Sequence, residues 1–168
     1  MHREQSFPKD ATVRTVRTGE LLVSRSVDDV LITYSLASCI GLALYDGEKN
    51  IGGLVHCMIP VSTSDPKRAA QQPELFTDSG VTSLLRAVFE LGASRSSLVA
   101  RVSGAASLDG GDNFGIGPRN YAVLRRVLWR NSIFIAGEDI GGNLPRTMSL
   151  EMATGRTVVV AGGRKTVF

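Results

Sequence analysis

The chain has 168 residues, 43% of them apolar and 21% charged, an ordinary soluble-protein composition with enough length for a sizeable core. No apolar run approaches bilayer-spanning length, and Met1 to Pro8 lack the apolar stretch of a signal peptide, so the expectation is a cytoplasmic protein without membrane insertion. The net charge of +3 is spread along the chain. Its nearest cluster, Arg125, Arg126 and Arg130 around Trp129, reads as a solvated helix face, and no nucleic-acid motif accompanies it.

In chain order, residues 1–18 are polar and read as a loose arm ahead of a domain over 19–168. Residues 19–24 and 30–36 read as strands. Ile40 to Tyr45 and Ile51 to Ile59 flank the turn Asp46-Gly47-Glu48-Lys49-Asn50, which predicts a β-hairpin. Both faces of that hairpin are apolar, so both must be covered, which requires three layers. Residues 60–76 carry Pro60, Pro66 and Pro73 and read as a loop of lid or binding length. Thr77 is placed as the N-cap of a helix whose apolar stripe is Val81, Leu84, Leu85, Val88 and Leu91, with Gly92 as the stop.

Leu98, Ala100 and Val102 predict another strand. The stretch 103–117 is small and Gly-rich. Gly104, Gly110, Gly111, Gly115 and Gly117 lack a Walker lysine or a strand-turn-helix context, so tight turns fit better than a phosphate cradle. Pro118 suits the first turn of a second helix with stripe Tyr121, Leu124, Val127 and Leu128. Ile133 to Ala136 predicts a strand, and 147–152 with 156–160 a closing hairpin. Seven or so strands and two amphipathic helices on one side define an α+β sandwich.

Cys39 and His56 carry the most chemical information. In a symmetric hairpin Asp46 faces Ile51 and His56 faces Gly41. Cys39, Gly41, Tyr45, Leu54, His56 and Met58 then share one face. Cys39 and His56 become diagonal neighbours, roughly 7–8 Å apart at the backbone. A thiol and an imidazole so held suit a nucleophile and its base, and the same pair suits core filling. Gly41 would leave the imidazole room, and Thr33, Ser35 and Ser38 offer hydroxyls to orient it. Cys57 falls on the opposite face, packed with Leu42, Leu44 and Val55, as a structural thiol. That alternation disfavours both a disulfide and a zinc site, so free thiols in a reducing compartment and no metal are expected.

The segments Thr33-Tyr34-Ser35-Leu36-Ala37-Ser38-Cys39, Gly52-Gly53-Leu54-Val55-His56 and Met58-Ile59-Pro60 are followed by Ser103-Gly104-Ala105-Ala106-Ser107, Ile116-Gly117-Pro118-Arg119-Asn120, and Asp139-Ile140-Gly141-Gly142 with Arg146. In order and spacing this pattern resembles the chemoreceptor glutamine deamidase family, CheD. The resemblance implies a three-layer α-β-β sandwich with mixed sheets and two main helices on one side. It also implies a cofactor-free amidohydrolase acting on glutamine side chains of methyl-accepting chemotaxis receptor helices. Carried over by position, Cys39 is the nucleophile, His56 the general base and Thr33 the residue orienting the imidazole. Backbone N–H groups near Ser38 and Cys39 would hold the oxyanion. Asp139, Gly142 and Arg146 either shape the site or pin a turn with an ion pair.

The resemblance also admits a methylesterase-like activity on the same receptors, through the same thioester. A non-catalytic role is the alternative, as a module that binds a CheC-type phosphatase. A thiol hydrolase of small amides is a third reading. The chain departs from the family pattern where Ala37 and Ser35 stand in place of glycine, where Gly104-Ala105-Ala106 replaces Gly-Gly-Ala, and where Ser79-Gly80 replaces Thr-Ala. An Ala37 forced to positive φ would be strained.

Overall fold

A computed structural model describes residues 7–108 and 114–168. The central hairpin is β4 (Ile40–Asp46) and β5 (Ile51–Cys57), and its register is the one the turn predicts, with Gly41 opposite His56 and Asp46 opposite Ile51. Around it, β2 (Leu21–Ser24), β6 (Leu98–Gly104) and β7 (Ile135–Ile140) complete a five-stranded sheet in the order β2-β5-β4-β6-β7. A second five-stranded sheet joins β1 (Thr12–Thr15), β3 (Asp29–Leu36), β8 (Arg146–Glu151), β9 (Thr157–Ala161) and β10 (Arg164–Val167), in the order β1-β3-β8-β9-β10. Each sheet is mixed, with β1·β3 and β6·β7 parallel.

Strand alternation sorts the core into two halves. Ile40, Leu42, Leu44, Val55 and Cys57 face α2 (Thr77–Glu90) and α3 (Ile116–Arg130), meeting Val81, Leu84, Leu85, Val88, Leu124 and Leu128. Ala43, Tyr45 and Leu54 face the other sheet and meet Leu31, Met148, Leu150 and Val159. The central sheet is thus apolar on both faces because both are covered. The architecture is α+β in three layers, as expected. Cys57 lies on the helix side, wholly buried, with burial pushing its thiol far up.

Several expectations are corrected. Residues 12–16 do not belong to a loose arm. Thr12–Thr15 pairs with Asp29 to Ile32, and Val16 is buried; the alternating Thr-Val-Arg-Thr-Val is a β-branched strand signal that charge obscured. Residues 60–76 are not an open loop. They hold a 3-10 turn (Ser62–Ser64), helix α1 (Pro66–Gln71) and a second 3-10 turn (Pro73–Leu75). Pro66 and Pro73 each sit at the start of a helical turn, where a proline costs nothing. Thr77 is the first residue of α2 rather than its cap: Phe76 holds that position without a side-chain bond, and the Thr77 hydroxyl is used elsewhere. β7 runs from Ile135 to Ile140, later than the 133–136 that the sequence predicts, and β10 has no counterpart in the sequence reading. Gly110 and Gly111 lie outside the described residues.

Backbone strain falls at Ser35, not Ala37. Ser35 has φ of 59° and Ala105 of 54°, while Ala37 is not in that region. Both strained positions are ones where the resembling pattern has glycine. Ser35 lies in the bulge between the Thr33·Met148 and Leu36·Arg146 pairs and is exposed. Ser35→Gly is therefore expected to raise stability by about 0.5–1 kcal/mol, relieving the left-handed conformation with no packing lost; chemical denaturation measures it, and a loss of stability would contradict this account of the bulge.

Candidate active site

The bulge in β3 turns the chain out of one sheet, and residues 37–39 carry it into β4 of the other. Thr33, just before the bulge, points into the seam between the sheets, and His56 on β5 meets it there. The Thr33 hydroxyl lies 2.8 Å from His56 Nδ1 and donates to the Val16 carbonyl at 2.7 Å. A hydroxyl has one proton, and Val16 takes it, so Nδ1 must be the donor to Thr33. That leaves Nε2 unprotonated, the tautomer a general base requires.

The link from β1 to β2, Thr18 to Glu20, builds the rest of this environment. Gly19 N donates to the His56 carbonyl at 2.8 Å, and His56 N donates to the Glu20 carbonyl at 3.1 Å. Thr18 Oγ1 lies 3.4 Å from Nε2. Thr18 is a site residue that the sequence reading missed; only its place after the β-branched run pointed to it. The room expected above Gly41 does not serve the imidazole. A Cβ there would meet Leu36 Cδ1 at 2.8 Å and Met148 Sδ at 3.2 Å, so Gly41 lets the second sheet approach.

His56 is buried, and burial lowers its pKa from 6.5 to about 4. Cys39 is half-buried on the same strand face, and burial pushes its thiol up. Burial thus disfavours the charged form of each group, which argues against a preformed thiolate–imidazolium pair. Among the described residues no His, Cys, Asp and Glu cluster suits a metal ion.

Ser38 adjoins Cys39, and its carbonyl accepts from Asn120 Nδ2 at 2.9 Å. Asp139 and Arg146 are placed elsewhere, where β7 meets the second sheet. Asp139 Oδ1 accepts from Arg146 Nε at 3.1 Å and Nη2 at 3.0 Å, and Oδ2 accepts from Arg164 at 2.8 Å and Thr166 at 3.2 Å. Its carboxylate capacity is thereby used up within the protein. Gly142 has φ of 67° and accepts from Ser107 N at 2.9 Å. Gly141 N donates to the Gly104 carbonyl, and Ala105 N donates to Cys39 O. These backbone bonds tie residues 104–107 and 141–142 to the Cys39 carbonyl. The glycine-rich stretch serves the same packing: a Cβ on Gly104 would collide with the Cys39 carbonyl.

The fold and site together define an α-β-β sandwich with a thiol, an imidazole and a hydroxyl at the seam of its two sheets. The family model described as CheD chemotactic sensory transduction matches residues 58–161. A Syntrophus aciditrophicus protein named Probable chemoreceptor glutamine deamidase CheD 1 is 41% identical over 149 residues, 88% of this chain and 93% of that one. A Solibacter usitatus protein named Probable chemoreceptor glutamine deamidase CheD is 42% identical over 151 residues, 89% of each. The chain belongs to the CheD family. The family-model match starts after Thr33, Cys39 and His56. Among solved structures, Bacillus licheniformis YfiH gives a TM-score of 0.46 at 10% identity, over 81% of this chain and 60% of that one. No helix among the described residues is long and apolar enough to cross a membrane.

Proposed function

We propose that this protein is a chemoreceptor glutamine deamidase in which Cys39 is the nucleophile, His56 the general base and Thr33 the residue that fixes the imidazole tautomer. The observation that carries the reading is the relay from the Val16 carbonyl through the Thr33 hydroxyl to His56 Nδ1, which leaves Nε2 unprotonated, while Cys39 packs in the same core half as Leu54 on the face of β5 that His56 shares. The relatives' names supply the substrate class.

A glutamine side-chain amide is a poor electrophile and calls for a sulfur nucleophile. Cys39 Sγ attacks the amide carbon as His56 Nε2 takes the thiol proton. The carbonyl electron pair moves onto oxygen, where backbone N–H groups receive it. Collapse breaks the C–N bond, and His56 returns the proton to the departing nitrogen, releasing ammonia and a thioester. Water, deprotonated by the same imidazole, then cleaves the thioester to glutamate and restores the thiol. Asp139, Arg146 and Gly142 act by holding the loop behind the nucleophile. The reading requires no cofactor. The substrate is a receptor helix presenting glutamines, and a CheC-type phosphatase is the second partner that family membership suggests.

Because burial sets the base near 4, kcat/KM on receptor peptide is expected to bend near that pH. An exposed imidazole would bend near 6.5. Below the bend the ring is protonated and cannot take the thiol proton. A pH-rate profile measures this, and a bend near 6.5 would contradict a buried neutral base. The function itself is tested by incubating a receptor cytoplasmic fragment with wild type and with Cys39→Ala and mapping glutamine-to-glutamate conversion by peptide mass spectrometry. Conversion by wild type alone is expected. No conversion across several receptors, or a Cys39→Ala protein that still supports signalling, would favour the phosphatase-binding role.

A further inference from the structure

Asn120, in the first turns of α3, is 0% exposed and has every polar atom engaged. Nδ2 donates to the Ser38 carbonyl at 2.9 Å and to the Met58 carbonyl at 3.0 Å, while Oδ1 accepts from the Thr77 hydroxyl at 2.8 Å. The amide sits where the hairpin stops pairing, after Ile40 and Cys57. Beyond that pair, Met58 N turns to the Leu75 carbonyl and the Cys39 carbonyl turns to Ala105 N. The side chain thus bridges two strand ends that have parted. Only a planar amide with two donors and an acceptor meets this demand; a carboxylate offers no donor to the two carbonyls. Thr77, by donating to one end, decides which end is oxygen.

The consequence lies on the other side of the peptide planes. The carbonyls of Ala37, Ser38 and Cys39 are each held by a donor: Ala106 N at 2.7 Å, Asn120 Nδ2 at 2.9 Å and Ala105 N at 2.8 Å. In a trans peptide the N–H points opposite to the C=O. Holding Ala37 O and Ser38 O inward therefore turns Ser38 N–H and Cys39 N–H outward. Among the described residues neither N–H donates to the backbone of another residue. Successive free N–H groups beside a nucleophilic sulfur form a nest for developing negative charge.

We infer that Asn120 is a positioning residue for an oxyanion site: by gripping the Ser38 carbonyl it aims the Cys39 N–H at the oxygen that becomes anionic when Cys39 attacks an acyl carbon. This rests on Cys39 being the acyl-transfer nucleophile of the proposed function, but on no particular substrate.

The test compares two reactions of Cys39 in wild type, Asn120→Ala and Thr77→Val, each followed by mass on the Cys39 peptide. Acetylation by p-nitrophenyl acetate passes through an oxyanion; alkylation by iodoacetamide is a displacement that makes none. Asn120→Ala is expected to slow acetylation roughly 10–100-fold, less than the 10²–10³ lost when a donor is removed outright, and Thr77→Val to slow it about 3–10-fold. Alkylation should stay within about threefold of wild type in both, because the thiol and His56 remain in place. Should Asn120→Ala fail to fold, Thr77→Val carries the test. Acetylation and alkylation falling together, or an unchanged ratio in a folded variant, would overturn the inference, as would a wild-type ratio no higher than that of N-acetylcysteine. A wild type that deamidates no receptor, yet shows the predicted ratios, would sink the deamidase reading and leave this one standing.

Discussion

His56→Gln is expected to lower kcat for glutamine conversion by about 10²–10⁴ while leaving KM within a few-fold, the loss that follows removal of a positioned general base. In wild type Thr33 spends its proton on Val16, so it can only accept from the ring, and the ring presents Nε2 as a base. Glutamine keeps an N–H donor for Thr33 and fills much of the same buried space, so the seam should remain closed. What it lacks is a basic atom toward Cys39. With burial pushing the thiol up rather than down, Cys39 has little thiolate of its own to fall back on. Thr33→Val should cost less, because the imidazole survives and loses only its tautomer control. A His56→Gln protein that retained wild-type kcat would remove the base from the mechanism.

The second large effect concerns stability. Asp139→Ala should cost about 3–5 kcal/mol, because it strands a buried guanidinium. Arg146 is 5% exposed and gives Asp139 two of its donors. Arg164, much more exposed, can rehydrate and contributes little once its partner is gone. For a chain of this length the expected fall in Tm is roughly 10 °C. Arg146→Met placed on top of Asp139→Ala should recover part of the loss by removing the stranded charge. Well below the lowered Tm, the Asp139→Ala protein should convert glutamine within a few-fold of wild type, since every oxygen of Asp139 is engaged inside the protein. An unchanged Tm with activity abolished would instead make Asp139 a substrate contact.

These two sites show unequal legibility in the sequence. The hairpin register, the shared face of Cys39 and His56 and the opposite face of Cys57 follow from one polar turn between two alternating runs, and the structure agrees with each. Thr33 was named as a hydroxyl near the imidazole, but its second partner was hidden. Val16 lies in a segment whose charges disguised a β-branched edge strand, and Thr18 was lost with it. In the sequence Asp139 reads either as a residue that shapes the site or as one that pins a turn with an ion pair. Its contacts to Arg164 and Thr166 come from β10, a strand absent from the sequence reading. Asn120 appeared within a recognisable segment without a role, since its partners at Ser38, Met58 and Thr77 are far apart in sequence. Non-local hydrogen bonds of this kind leave no periodicity to read. Ser35 and Ala105 show the reverse: a missing glycine was noticed, and only backbone φ values settle which substitution carries the strain.

Under the proposed function, glutamine conversion passes through a covalent bond to Cys39. The most direct measurement is an acid quench during turnover with a receptor cytoplasmic fragment, followed by intact mass and peptide mapping. The account predicts an adduct whose mass is the sum of the two chains less one ammonia, located on Cys39 and absent from Cys39→Ala. Receptor glutamate appearing at an undiminished rate with Cys39→Ala, and with no adduct on Cys39 in wild type, would contradict it.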